Sequence, residues 1–172
     1  MALNGPVGIW FSELGKHMEQ RDYYFTGFSG NRKKDSYWYC GDLPDGRHYG
    51  WRYFKGNYAW GATMMICIVE KTGESLATAS AKGTEDTSSR PTAVCASPGG
   101  RCLVWIIDGQ LWIWRRTKDG FIIEDAKCLA SRFEGRLIRD ARMNPDGILE
   151  LKCEDGSTAA YFCDADIVLL PS

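Results

Sequence analysis

The chain has 172 residues, 44% hydrophobic and 25% charged, which suits a globular protein with a core of its own. Its 21 Lys and Arg against 22 Asp and Glu leave a net charge of −1. That balance excludes binding to nucleic acid or an anionic membrane through bulk charge and leaves only local patches for such contacts. No stretch reaches the about eighteen apolar residues of a membrane span, and no early stretch has a signal-peptide pattern, so no membrane partner is expected.

The opening Gly8-Ile9-Trp10-Phe11 can be read as a strand. Trp10, Leu14 and Met18 also recur every fourth residue, as on a helix face that Gly15 interrupts. Residues 22 to 28 read as a strand, followed by a polar turn, Ser29 to Asp35, that carries Arg32, Lys33 and Lys34 as a solvated basic triplet. Residues 36 to 42 and 47 to 55 form a hairpin about Pro44-Asp45-Gly46, where Pro presets φ and Gly supplies the left-handed position. Residues 63 to 70 and 75 to 81 form another across Lys71 to Glu74. The polar run 82–92 reads as a flexible loop or as the one plausible domain boundary, and a single domain spanning 1–172 is expected.

The central stretch Arg101 to Arg116 has two apolar runs about Asp108-Gly109, a dipeptide that accepts the positive φ angles of a tight hairpin turn. That turn pairs Ile107 with Gln110, Trp105 with Trp112 and Leu103 with Trp114. Leu103, Trp105, Ile107, Trp112 and Trp114 then share one face, and Val104, Ile106, Leu111 and Ile113 the other. Both faces are apolar, so the hairpin is expected to be covered on two sides. A turn at Lys118 to Gly120 leads to a strand at 121 to 124. Between 125 and 143, Leu129, Phe133, Leu137 and Ala141 have helical spacing behind an Asp125 cap, although Arg136 and Asp140 fall on the same face, and the spacing favours a short helix. A last hairpin joins 148–153 to 158–163, and 167–170 closes the series.

Five Asp-Gly pairs, most of them between β-rich runs, point to a mainly β fold of some ten to twelve strands. The expected architecture is a single-domain antiparallel meander closed into a barrel or two-layer sandwich, with one or two short helices.

Short resemblances to known families accompany these elements. Gly8-x-Trp10 resembles the opening of lipocalin and avidin barrels, although Ser12 and Lys16 depart from the residues that would hold biotin. Tyr39-x-Gly41 through Gly50 resembles the start of one MORN repeat. Asp108-Gly-Gln-Leu-Trp112 resembles the D-G-x-L-W of propeller lectins. Neither repeat motif recurs, and a repeat fold needs stacked neighbours, so no repeat architecture is expected.

Seven cysteines include no C-x-x-C pair, which argues against a structural zinc site. They read as reduced, buried thiols of an intracellular, cytoplasmic protein with no metal or other cofactor. The 22 aromatic residues are lopsided: fifteen lie in residues 1 to 60, where Leu43 is the only branched aliphatic between Gly15 and Gly61.

The densest aromatic segment, Arg47-His-Tyr-Gly-Trp-Arg-Tyr-Phe-Lys55, interleaves rings with cations. Such a sheet face stacks flat bases and counters phosphate charge. RHYGWRYF also resembles the aromatic octapeptide of RNA-recognition and cold-shock sheets, with His48 and Arg52 departing from it. The expected ligand-binding residues are Arg47, Tyr49, Trp51, Arg52, Tyr53 and Trp38. The expected function is non-enzymatic binding of a flat, partly anionic ligand, a nucleotide or short single-stranded nucleic acid. The alternatives are a protein-interaction module or small inhibitor with exposed aromatic anchors, and a lectin-like carbohydrate binder. Catalytic motifs are absent, and a hydrolase or transferase would have to rest on His48 as a lone general base.

Overall fold

The computed structural model describes residues 7–55, 62–80, 90–117, 120 and 126–171, with side chains described at all of these except 54–55, 62–63 and 75–80. The expected strand at 121–124 and most of the expected loop 82–92 lie outside the described residues.

The strands come in chain order and pair with their neighbours in sequence. β1 (Glu19–Thr26), β2 (Arg32–Asp42), β3 (His48–Lys55), β4 (Ala62–Val69) and β5 (Ser75–Ser80) form the first sheet. β6 (Val94–Ala96), β7 (Cys102–Ile107), β8 (Gln110–Arg115) and β9 (Ala126–Cys128) form the second. β10 (Ile138–Met143), β11 (Ile148–Cys153), β12 (Thr158–Phe162) and β13 (Ile167–Leu169) form the third. All pairs within the sheets are antiparallel. The protein is mainly β, as expected, but the meander breaks into three sheets instead of closing into one barrel.

The central hairpin has the register that its turn dictates: Ile107↔Gln110, Trp105↔Trp112 and Leu103↔Trp114. Asp108 and Gly109 both take positive φ, 50° and 76°. Both faces are covered. Val104, Ile106, Leu111 and Ile113 pack with Ile138, Met143, Leu149, Leu151 and Tyr161 of the third sheet. Leu103, Trp105, Ile107, Trp112 and Trp114 pack with Tyr49, Trp51, Met64, Ile66 and Ile68 of the first. The second sheet is therefore the middle layer of three. A smaller cluster of Tyr23, Tyr37, Cys67 and Val69 lies on the far face of the first sheet, whose edge strands approach each other at a bridge between Tyr24 and Glu74.

The three sheets share one kind of turn. In each, an x-Pro-x-Gly turn joins two neighbouring strands: Leu43 to Gly46 joins β2 to β3, Ser97 to Gly100 joins β6 to β7, and Asn144 to Gly147 joins β10 to β11. The glycine N–H donates to the carbonyl of the residue before proline, at 2.8, 2.8 and 3.1 Å, and each glycine has φ between 70° and 90°. That region is nearly closed to side chains with a Cβ, so the glycine is required where the strands are free to vary.

Two local expectations also change. A helix over 125–143 is replaced by β9, a 3-10 turn at Ala130–Phe133, and β10. Glu134 and Gly135 both take positive φ, which ends helical winding, and in β10 Asp140 and Arg142 are half-exposed while Ile138, Ala141 and Met143 are buried. The basic triplet Arg32 to Lys34 begins β2 and is not in the turn. At the N-terminal end, Trp10 bridges to Arg142 of β10 before a single helical turn, α1 (Phe11–Leu14). Strand and helix readings of this segment each hold for part of it.

Candidate functional site

β3 alternates as its sequence dictates. Tyr49 and Trp51 leave the sheet on one face and are 0% and 1% exposed against the middle sheet. The Tyr49 hydroxyl accepts a hydrogen bond from the Ala96 N–H at 3.1 Å. Burial, with the Cys95 thiol close by, pushes its pKa well above the ordinary phenol value. This ring is part of the joint between two sheets and cannot stack on a ligand. The middle sheet's indole-rich face needs an apolar cover, and β3 supplies it. Arg47 lies at the turn end of β3, bound to the Asp45 carboxylate at 2.8 Å, and its partner there is the turn itself.

The remaining expected residues converge. The β2–β3 ladder runs from Asp42↔His48 to Trp38↔Trp51 and stops. β2 nevertheless continues back to Arg32 along β1, and β3 continues to Lys55 along β4. The two strands fork, and the fork holds a cavity of about 510 Å³ lined by Gln20, Phe25, Tyr37, Trp38, Arg52 and Tyr53, with Asp35 and Ser36. Because it opens between strands, residues from both faces of the sheet reach it. The Arg52 guanidinium meets Asp35 across it at 3.2 Å, and the Gln20 amide donates to the Ser36 hydroxyl at 2.9 Å.

Trp38 also borders a second cavity, of about 330 Å³, with Ser12, Met18, Trp51, Arg90 and Thr92. Trp38 stacks on Trp51 with centroids 6.1 Å apart, and Trp51 meets Tyr53 edge-on at 5.4 Å. The Trp51 N–H points to the Met18 sulfur at 3.3 Å. Half-buried Trp38 thus stands as a wall between two hollows, braced from behind by a fully packed indole.

The charge beside this wall comes mainly from a residue the sequence did not single out. Arg90 is exposed, makes no ion pair among the described residues, and is close enough to Tyr53 to oppose the rise in its pKa caused by burial. It sits at the end of a polar run that reads only as loop, so nothing local marks it. Arg52, by contrast, already has Asp35 as partner.

Comparison with protein-family models, curated proteins and solved structures finds no match for this chain. The site has to be judged on its own chemistry.

His48 supplies little of it. Its Nδ1 lies 2.6 Å from the Asp42 carboxylate, which also accepts from the Tyr39 hydroxyl at 2.8 Å, and the Tyr39 ring meets the imidazole edge-on. Among the described residues, no group of three or more His, Cys, Asp or Glu could hold a metal ion. All seven cysteines are free thiols, and no described helix is long and apolar enough to cross a membrane.

Proposed function

We propose that this protein binds a flat, partly anionic ligand, a nucleotide in the simplest case, in the fork between β2 and β3. The observation that carries the reading is Trp38, half-buried between two cavities, with Tyr53 on the fork side and Arg90, which makes no ion pair among the described residues, next to it. A base stacks on Trp38, where ring stacking is worth about 1–3 kcal/mol per base. Gln20 and Ser36 meet its edge, and Arg90 counters the phosphate. The binding set is Trp38, Tyr53, Arg52 and Arg90, with Trp51 holding Trp38 in place. Tyr49 and Arg47, expected from the sequence, take structural parts instead. Seven free thiols fit residence in a reducing compartment, and we include that in the proposal.

The test is tryptophan fluorescence and calorimetry with nucleoside monophosphates. Binding that falls at least about tenfold in Trp38→Ala, and several-fold in Arg90→Ala, is the expected result. No heat and no quenching with any of the four, or an affinity unchanged in Trp38→Ala, ends the reading.

One observation favours a second reading. Asp35 puts a carboxylate on the fork wall beside Arg52, and with Gln20 and Ser36 it makes a rim of donors and acceptors suited to sugar hydroxyls. A pyranose face stacks on indole as well as a base does. Glycan-array binding without nucleotide binding would select it.

A further inference from the structure

We infer that the ligand of the fork is a single strand of nucleic acid rather than an isolated nucleotide, and that the β1–β2 hairpin is a finger that carries the strand away from the cleft. The inference rests on the nucleotide reading of the Trp38 cleft. It adds a second contact surface, of Phe25, Lys33 and Phe28, that the cleft alone does not need.

The tip of the hairpin is held by its own backbone: the Gly27 N–H donates to the Asn31 carbonyl at 2.9 Å, and the Gly30 N–H to the Gly27 carbonyl at 3.0 Å. It presents Phe28, which at 114% exposure is more open to water than any other large apolar side chain described. Between Gly27 and Lys34 the chain has three cations and no acid. Two of the cations are engaged. Arg32 binds Glu74 at 2.8 Å and lies over the Tyr24 ring, and Lys34 stands 3.9 Å from Asp22.

Lys33 makes no ion pair among the described residues. It pairs with Phe25 across the β1–β2 ladder, so both side chains leave the hairpin on one face. Its stem is laid over Gly27, where an added Cβ would stand 2.9 Å from Lys33 Cε. Phe25 is itself part of the cleft wall.

Ring, cation and ring therefore follow one another from the cleft to the tip: Phe25, Lys33, Phe28. Phe28 comes three residues after Phe25, in the turn just beyond the end of β1. Alternating stacking platforms and phosphate partners along a strand are what single-stranded nucleic acid requires, and they are redundant for a mononucleotide already seated on Trp38. A lipid surface fits less well. It would meet one ring, with the carboxylates of Asp22 and Asp35 in the strands behind it, whereas interfacial anchoring takes several apolar groups together.

The experiment compares deoxythymidine monophosphate with oligothymidylates of two to eight nucleotides, by calorimetry and fluorescence anisotropy, on the full chain and on Phe28→Ala, Lys33→Ala and Trp38→Ala. Phe28 and Lys33 are exposed, so their replacement leaves the fold intact. Affinity is expected to rise with length up to about four or five nucleotides. Phe28→Ala should weaken octamer binding about tenfold and leave the monophosphate affinity unchanged. Lys33→Ala should lower the slope of log affinity against log salt by about 0.7, and Trp38→Ala should weaken both ligands.

An octamer that binds no tighter than the monophosphate overturns the finger and spares the cleft. So does an octamer affinity unchanged in Phe28→Ala. Failure of monophosphate and octamer alike removes the cleft reading, and the finger falls with it. An arm with phosphatidylserine vesicles covers the lipid case: vesicle binding that Phe28→Ala abolishes, with oligonucleotide affinity untouched, also overturns the inference.

Discussion

The molecule holds two tryptophan-rich regions with opposite fates. In the central hairpin, Trp105 and Trp114 are 0% exposed and Trp112 is 5% exposed, whereas Trp38 in β2 stays half-buried beside a cavity. The difference lies in what alternates with the rings. In β7 and β8 the intervening residues are Val, Ile and Leu, so both faces demand cover and the hairpin is drawn between two sheets. In β2 the neighbours of Trp38 include Ser36, Asp35 and Lys34, which hold one end of the strand in water and let it part from β3. A ring on a strand becomes core or platform according to the polarity of the residues between the rings, more than by its own burial tendency.

The largest expected effect tests the core side of that contrast. Trp105→Ala should cost about 3–5 kcal/mol in urea unfolding, toward the lower end because its buried indole N–H has no acceptor to lose. Tyr49→Phe is a smaller and cleaner cut at the joint between sheets. It leaves the Ala96 N–H buried without a partner and should cost about 1–3 kcal/mol. Gly50→Ala should cost a similar about 1–3 kcal/mol, since an added Cβ would stand 1.9 Å from the Trp38 carbonyl oxygen. It should also shift Trp38 fluorescence, which Tyr49→Phe should not. Trp38→Ala should cost least, about 1 kcal/mol or less, if the ring is a platform. A cost near that of Trp105→Ala would erase the distinction between the two regions.

A pH experiment addresses both regions at once. Burial pushes the thiols of Cys67, in the first sheet, and Cys163, between the second and third, up to about 12 from an ordinary 9.0. With the folded value raised, their contribution to stability is whole below pH 9 and is lost as pH climbs toward 12. Unfolding free energy followed from pH 8 to 11 should therefore fall. Cys67→Ala and Cys163→Ala should each make that fall shallower; a flat profile in the parent protein would mean that neither thiol is shielded when folded.

The parts of the fold that were legible were those fixed by short-range chemistry. Asp108-Gly109 permits a two-residue turn, and that alone sets every pair from Ile107↔Gln110 to Cys102↔Arg115. The recurring x-Pro-x-Gly turn was not legible as a motif, because only the turns need particular residues. Pro98 and Gly100 recur as Pro145 and Gly147, and Asp108-Gly109 as Asp155-Gly156, all 47 positions apart, while the strands between share only apolar alternation. An alignment of turn residues alone would have found it. Leu129, Phe133, Leu137 and Ala141 misled because fourfold spacing also arises when a 3-10 turn and a strand follow one another across Glu134-Gly135.

At the site, the alternation of Tyr49, Trp51 and Tyr53 was readable, but which side would be wet was not. That depends on the middle sheet, fifty residues further along. Arg90 and the fork depend on where a ladder stops, and the segment around Ser36 carries no sign of that beyond its polarity.

The segment carrying Trp10 and α1 lies on β10, with the Ser12 hydroxyl on the Asp140 carboxylate across 128 positions of sequence. Each sheet is a run of local hairpins and can form as soon as its own strands exist. Met18 can meet Trp51 of the first sheet, but Trp10 and Ser12 have nowhere to dock until the third sheet has been made. Folding should therefore end with a latch: a slow step that ties down residues 8 to 14 and that deleting β10 would abolish without preventing the first sheet from forming.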